Sequence, residues 1–355
     1  MYLWLGDWLE NLGDNRGSAE SSKITHNKST CFSDALQRVL SDHNRRDRNG
    51  IYISKQIELF RTLVEYDGWE WLDAQDTKIF QLPETCASMW YVISVYNQHA
   101  NTNASKEVRE WCDLKLKHIF RVLSIIGRIA NAEGITKIDQ SKITDIIYTA
   151  AFHDISRFRE YAIDPVDGIQ KPLLSMKGYS MGNNFSHANE SIEDIKKSPF
   201  SDKVKNEVLF AIRQHGNISI SENNKLYEAS LDKEWAFTLA KLLRDADKVD
   251  SLWTIGKEGY LPLYLGDFKE GGLSTAIKDE LNSWRRISYK NIETASDRIA
   301  AYITRLDDIN YPSTKAMVAN QINFIPKSLK ALVQHGASAS DIELIQQYIK
   351  KRTIE

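Results

Sequence analysis

No run of this sequence approaches the roughly 18 uncharged apolar residues that a membrane-spanning helix needs. Cysteine is scarce. Cys31, Cys86 and Cys112 are odd in number, widely spaced and without a C-x-x-C pair. That pattern fits reduced thiols better than a disulfide framework or a thiolate zinc site. The opening MYLWLGDWLENLG carries two acidic residues but no basic region and no small-residue cleavage site, so it does not read as a secretory signal. These absences together lead to the expectation of a cytoplasmic protein. An excess of either charge is missing too, since 46 Lys and Arg against 48 Asp and Glu leave a formal net charge of −2. Such a balance argues against a strongly electrostatic nucleic-acid binder and suits a small soluble substrate better, although a local basic groove is compatible with it. Internal repeats and low-complexity tracts are absent. So is sustained apolar–polar alternation beyond short ambiguous runs such as NISIS at 217–221.

What remains is a 355-residue chain, 42% hydrophobic and 26% charged, with the balance of a globular protein and enough length for one large domain or two ordinary ones. The polar stretch from Gly13 to Thr30 reads as a loop or linker, and residues 31–98 as irregular, aromatic-rich helices interrupted at Pro83. After the polar break HANTNASKE, a helix is predicted from about Val108 to Ala132, stopping at Gly134. Its apolar residues cover so much of the surface that it should be buried nearly all round. A second helix begins near Ser141, a plausible N-cap, and ends in FHDISRF. The stretch from Ala162 to Ser186 is punctuated by Gly, Pro and Asn and reads as a long binding loop or lid. Helical patterns resume at about 187–197, 201–215 and 231–252, then continue beyond Ser274 with stops at Pro312, Pro326 and Gly336. The expected fold is all-α.

Four of the eight histidines fall on apolar helix positions or helix ends between 118 and 215. His118 lies in the middle of a buried helix, and alone it would more often be a satisfied core residue than a ligand. His153 is followed directly by Asp154. His215 ends a helix in register with Val208 and Ile212, and Asp247 continues the apolar face of Leu239 and Leu243. Buried, unpaired carboxylates and imidazoles are expensive, and a bound cation supplies one common partner for all of them.

The order H…HD…H…H…D, carried by His118, His153-Asp154, His187, His215 and Asp247, resembles the HD superfamily of metal-dependent phosphohydrolases. His118-Ile-Phe-Arg121-Val122 is similar to that family's H-x-x-R-V. FHDISRF resembles its HDIG[KR]F turn, with Ser156 in place of the usual glycine. SHANESIEDI resembles its H-x-x-x-[SG] helix start, and LLRDADKVDSLW its DAD[KR]LD helix. The likeness spans roughly residues 108–255. It implies an HD helical bundle at 106–273; the helical patterns outside it lead to the expectation of a helical region of unknown role at 1–105 and a helical extension at 274–355 packed on the core. The resemblance also implies divalent transition metals (Mn, Fe, Co, Ni or Zn), two per chain, with Asp154 bridging them and a shared hydroxide attacking phosphorus in line. Arg157, at the position of the family's basic residue, is a candidate substrate-phosphate contact; a surface salt bridge is its equal rival. Lys171 and Lys177 are weaker candidates for substrate binding, and Arg121, Asp245 and Lys248 for support of the ligands.

The resemblance implies a nucleotide or related small phosphorylated substrate, since the family covers phosphomonoesters, cyclic dinucleotides, deoxynucleoside triphosphates, dinucleoside polyphosphates and single-stranded nucleic acid. A nuclease is less favoured, because helicase-linked HD nucleases carry paired histidines where this chain has His215-Gly216. Some HD-fold proteins use the same six ligands to hold two irons and act as oxygenases, and the ligands alone do not separate that reading from a hydrolase. A non-catalytic nucleotide sensor is a third reading, disfavoured by the complete ligand set.

Overall fold

The computed structural model describes residues 79, 82–100, 104, 106–135, 139–162, 186–217, 219–256, 265, 268–319 and 324–354. The readings made for residues 1–78 and for the 163–185 segment, Lys171 and Lys177 included, lie outside the described residues.

Helix α1 (Pro83–His99) begins with a proline at its first turn, where the missing N–H costs nothing. It buries Met89, Val92, Ile93 and Tyr96, spaced three and four apart, on one face. Helix α2 (Lys106–Ala132) is the predicted buried helix. From Cys112 to Ile126 every residue is buried except Lys115. It stops where Gly134 takes a φ of 70°, a conformation that costs glycine least. Helix α3 (Gln140–Phe152) is capped two residues earlier than expected. Asp139, not Ser141, is the cap: its carboxylate accepts from Ser141 N at 3.0 Å and from Ser141 Oγ at 2.7 Å.

Helices α4 (Arg157–Ala162), α5 (His187–Lys196), α6 (Asn206–Gln214), α7 (Lys225–Glu228) and α8 (Lys233–Gly256) follow. Helix α6 starts later than the predicted 201, because residues 201–203 form turns. Helix α8 is the hub. It packs along α6 and α2, while α3 fills the space between α1, α2 and α6. Ile119, Ile126, Phe152, Phe210, Leu239 and Leu243 meet in one core. Burying a side chain of this kind contributes roughly 1.5–3 kcal/mol.

The C-terminal part comprises α9 (Thr275–Asn282), α10 (Ala295–Ile303), α11 (Pro312–Met317), α12 (Phe324–Gln334) and α13 (Ala339–Ile354). Helices α11 and α12 pack on α8, so this part shares the core's central helix. Two expected stops are starts instead. Pro312 opens α11, and Pro326 lies in the first turn of α12, where helical N–H groups have no intrahelical acceptor to lose. Gly336 does end α12: at φ 92° it allows Gly336 N to reach the Val333 carbonyl and Ala337 N the Leu332 carbonyl. Among the described residues there is no strand, only an isolated bridge between Lys269 and Thr294, and NISIS pairs with nothing as a strand. The fold is all-α, as the periodicity predicts. No described helix is long and apolar enough to cross a membrane.

Candidate metal centre

Five elements deliver the side chains of the H…HD…H…H…D pattern to one place. His118 comes from the middle of α2, and His153-Asp154 from the turn that ends α3. His187 is the first residue of α5, His215 follows the last residue of α6, and Asp247 comes from α8. His153 and His215 occupy equivalent positions and are held in the same way. Each ring donates from Nδ1 to the carbonyl three residues back, to Ala150 at 2.8 Å and to Ile212 at 2.6 Å. His118 Nδ1 donates to Asp250 Oδ2 at 2.6 Å. With the Nδ1 proton committed, each neutral ring presents an Nε2 lone pair.

Those lone pairs converge. His118 Nε2 and His153 Nε2 are 3.1 Å apart, and His187 Nε2 and His215 Nε2 are 2.9 Å apart. The carboxylates around His118 favour a proton between its Nε2 and that of His153, a place that a divalent cation would take instead. The cluster divides into two groups able to hold a metal ion: His118, His153 and Asp247, and Asp154, His187 and His215. Asp154 faces both. Its Oδ2 is 3.4 Å from His118 Nε2 and 3.8 Å from His153 Nε2, while its Oδ1 is 3.7 Å from the Nε2 atoms of both His187 and His215. Asp247 Oδ1 is 3.3 Å from His118 Nε2. Asp154 Oδ1 is buried and accepts no hydrogen bond; the Arg157 guanidinium answers its charge from 3.5 Å, and its lone pairs are left for a metal ion. Imidazole nitrogens and carboxylate oxygens are the donors that borderline divalent ions prefer. The residues fit such ions.

The electrostatics agree. Burial, with His118 and His215 beside it, outweighs the nearby carboxylates and pulls His153 down to about 4, so this ring is neutral at pH 7. Burial and then Arg157 hold His187 well below the ordinary histidine value. Burial would raise Asp154 and Asp247. It is overcome at Asp154 by Lys115, His153 and the rings of His118 and His215, and at Asp247 by the histidines, above all His118. His118 is the exception: burial and Lys115 depress it, yet Asp154, Asp247 and Asp250 together push it up to about 10. Three carboxylates around one ring call for positive charge at the centre of the cluster.

The supporting residues divide differently from the expectation. Arg121 grips Asp250 with Nε and with Nη2 at 3.2 Å and lies over the Trp253 ring, so it stands behind His118 through Asp250. Arg157 is buried. Its Nε is 3.5 Å from Asp154 Oδ1, and its Nη1 donates to Glu160 at 2.5 Å. Asp245 does not turn to the ligands; it accepts from the backbone and side-chain nitrogens of Asn310 and from Tyr311 N, which commits it to the C-terminal segment. It projects from a different face of α8 than Asp247, two residues on, because a helix turns 100° per residue. Lys248 Nζ lies 3.8 Å from Asp308 Oδ2.

Four residues at the site escaped the sequence reading. Asp250 follows Asp247 by three residues, a spacing that puts both on one helix face. Lys115 precedes His118 by three, and its Nζ is 2.8 Å from Asp154 Oδ2. Arg244 donates from Nη1 to the carbonyls of Gln214 (3.0 Å) and Asn217, clamping the turn that carries His215. Ser156, noted only as a departure from glycine, donates from Oγ to the His187 carbonyl at 2.8 Å and accepts from Ser191 Oγ at 3.1 Å. Nearby, Arg159 Nη2 is 2.8 Å from Glu190 Oε2, a second tie between α4 and α5.

Residues 116–252 match the family model of the HD domain, which supports placing this part of the chain in the HD superfamily. The HD domain family consists mostly of metal-dependent hydrolases. No curated protein and no solved structure matches the chain.

Proposed function

We propose that the chain is a cytoplasmic phosphohydrolase with a binuclear metal centre, cleaving a phosphoester or phosphoanhydride bond of a nucleotide or related small phosphorylated substrate. The observation that carries this reading is the division of six ligands into two groups with one oxygen of Asp154 facing each. Divalent cations in the two groups would make a water nucleophile available near neutral pH and neutralise charge on the phosphoryl oxygens. The chain supplies placement. The backbone carbonyls of Ala150 and Ile212 fix two rings, Asp250 fixes a third, and burial keeps water from competing for them. Asp247 and His187, with side chains 25% and 20% exposed, stand at the open side, whereas His118, His153, Asp154 and His215 are all at 6% or less. A phosphate approaching from solvent therefore meets both groups at once.

Elemental analysis of anaerobically purified protein, wild type beside Asp154→Ala, tests the reading when combined with a nucleotide hydrolysis panel in Mn²⁺, Co²⁺, Ni²⁺ and Fe²⁺. Roughly two metals per chain are expected, lost in the variant together with phosphate release. Iron with oxygen consumption and no phosphoester hydrolysis would replace the hydrolase with the oxygenase that uses the same ligands. No metal in either protein would overturn both.

A further inference from the structure

Lys115 is the one half-buried residue in the otherwise buried run 112–126 of α2. It lies one turn before His118, on the same side of the helix. Its ammonium touches Asp154 Oδ2 at 2.8 Å, and its side chain is 19% exposed against 4% for the carboxylate it holds. Lys115 thus reaches Asp154 while keeping part of its side chain in solvent, as Asp247 and His187 also do. The other cation on Asp154 is differently placed. Arg157 is buried and already spends Nη1 on Glu160 at 2.5 Å, so its charge is answered from within the protein. Lys115 also precedes the first residue of the family match, at 116.

We propose that Lys115 is the substrate-phosphate contact of this site. The proposal rests on the phosphohydrolase reading and moves the role first considered for Arg157 to a different side chain. A divalent cation and an ammonium compete for Asp154 Oδ2. Were a divalent cation held by Asp154, His187 and His215, the ammonium would be released from the carboxylate, and its flexible four-carbon stem would let it turn to solvent. An anionic phosphoryl oxygen then becomes its counter-ion through a charge-assisted hydrogen bond. The same lysine holds Asp154 in place before metal arrives and the substrate after it.

The test compares wild type, Lys115→Met and Lys115→Arg in metal affinity, binding of inorganic phosphate to the Mn²⁺-loaded protein, and kcat/KM on whichever phosphoester the wild type cleaves. Lys115→Met is expected to keep its metals and bind them more tightly, because a competing cation is gone. It should lose roughly 10–100-fold in phosphate affinity and in kcat/KM, the range of a charge-assisted contact worth about 1.5–3 kcal/mol, and Lys115→Arg should recover part of both. Unchanged phosphate binding at full metal content would overturn the proposal and leave Lys115 a counter-ion. Metal lost along with phosphate affinity would overturn it in favour of a purely structural role. A wild type that hydrolyses nothing yet binds phosphate through Lys115 would sink the hydrolase reading alone. If it binds no phosphate either, both fall.

Discussion

The ligands around His118 and those around His187 differ in how much of the protein stands behind them. His118 leans on Asp250, which is gripped by Arg121, and His153 beside it is 0% exposed. His187 opens a short helix at the mouth of the site, held by a serine hydroxyl on its backbone carbonyl. His215, its companion, rests on the Ile212 carbonyl and the Arg244 clamp. Behind the His118 ring thus stands a carboxylate, whereas the His215 ring donates to the Ile212 carbonyl. A carboxylate on Nδ1 raises the basicity of the imidazole, and charge-assisted hydrogen bonds are roughly twice as strong as neutral ones. If the centre is binuclear as proposed, the first group should therefore be the tighter metal site. The second should exchange more freely.

Removing one ring from each group breaks the comparison most directly. His118→Ala is expected to empty the tighter position and cost more than about 100-fold in activity, beyond the usual effect of outer-layer residues. His187→Ala should leave that position filled and remove only the looser metal. Elemental analysis of the two variants side by side distinguishes them, and equal loss of both metals from each would show that the groups are not separable. Asp250→Asn sharpens the contrast with a smaller effect. It keeps the shape and removes the charge behind His118, so metal affinity should fall about 10–100-fold at the first group and stay unchanged at the second, as read by stepwise competition with a chromogenic chelator. The smallest effect is that of Ser156→Gly, which installs the residue usual in related turns. It deletes the hydroxyl tied to the His187 carbonyl and frees the backbone, costing about 1–2 kcal/mol of stability. Thermal unfolding with and without metal should show the loss, together with a weakening confined to the second group.

Much of this was legible in the sequence, because the ligands sit in short words whose neighbours carry as much information as the histidines themselves. Helix α2 declared itself through Ile119, Leu123 and Ile126, and its end through Gly134. The division of the ligands into two groups was legible only through the family resemblance, which set His187 and His215 apart; periodicity alone does not show how α5 and α6 lie against the end of α3. Asp245 and Asp247 show the limit well. As two acids in one word they look alike, and only the distant Asn310 and Tyr311 determine that the first is committed to structure. Asp250 and Lys115 could have been found from their i+3 and i−3 spacing to the candidate ligands Asp247 and His118. Charge on a helix that should be buried all round was itself the signal.

The Ser156 hydroxyl has a consequence for how this protein can change over generations. With Ser191 and the Arg159–Glu190 pair, it pins the residues on either side of the 163–185 segment to each other. Lengthening, shortening or rewriting that segment need not move His187, because the ring's position is set by the pins and not by the chain that leads to it. Segments of this kind carry much of an enzyme's substrate choice. On the proposed reading, changes there would alter substrate preference while the histidine and aspartate cluster keeps its place.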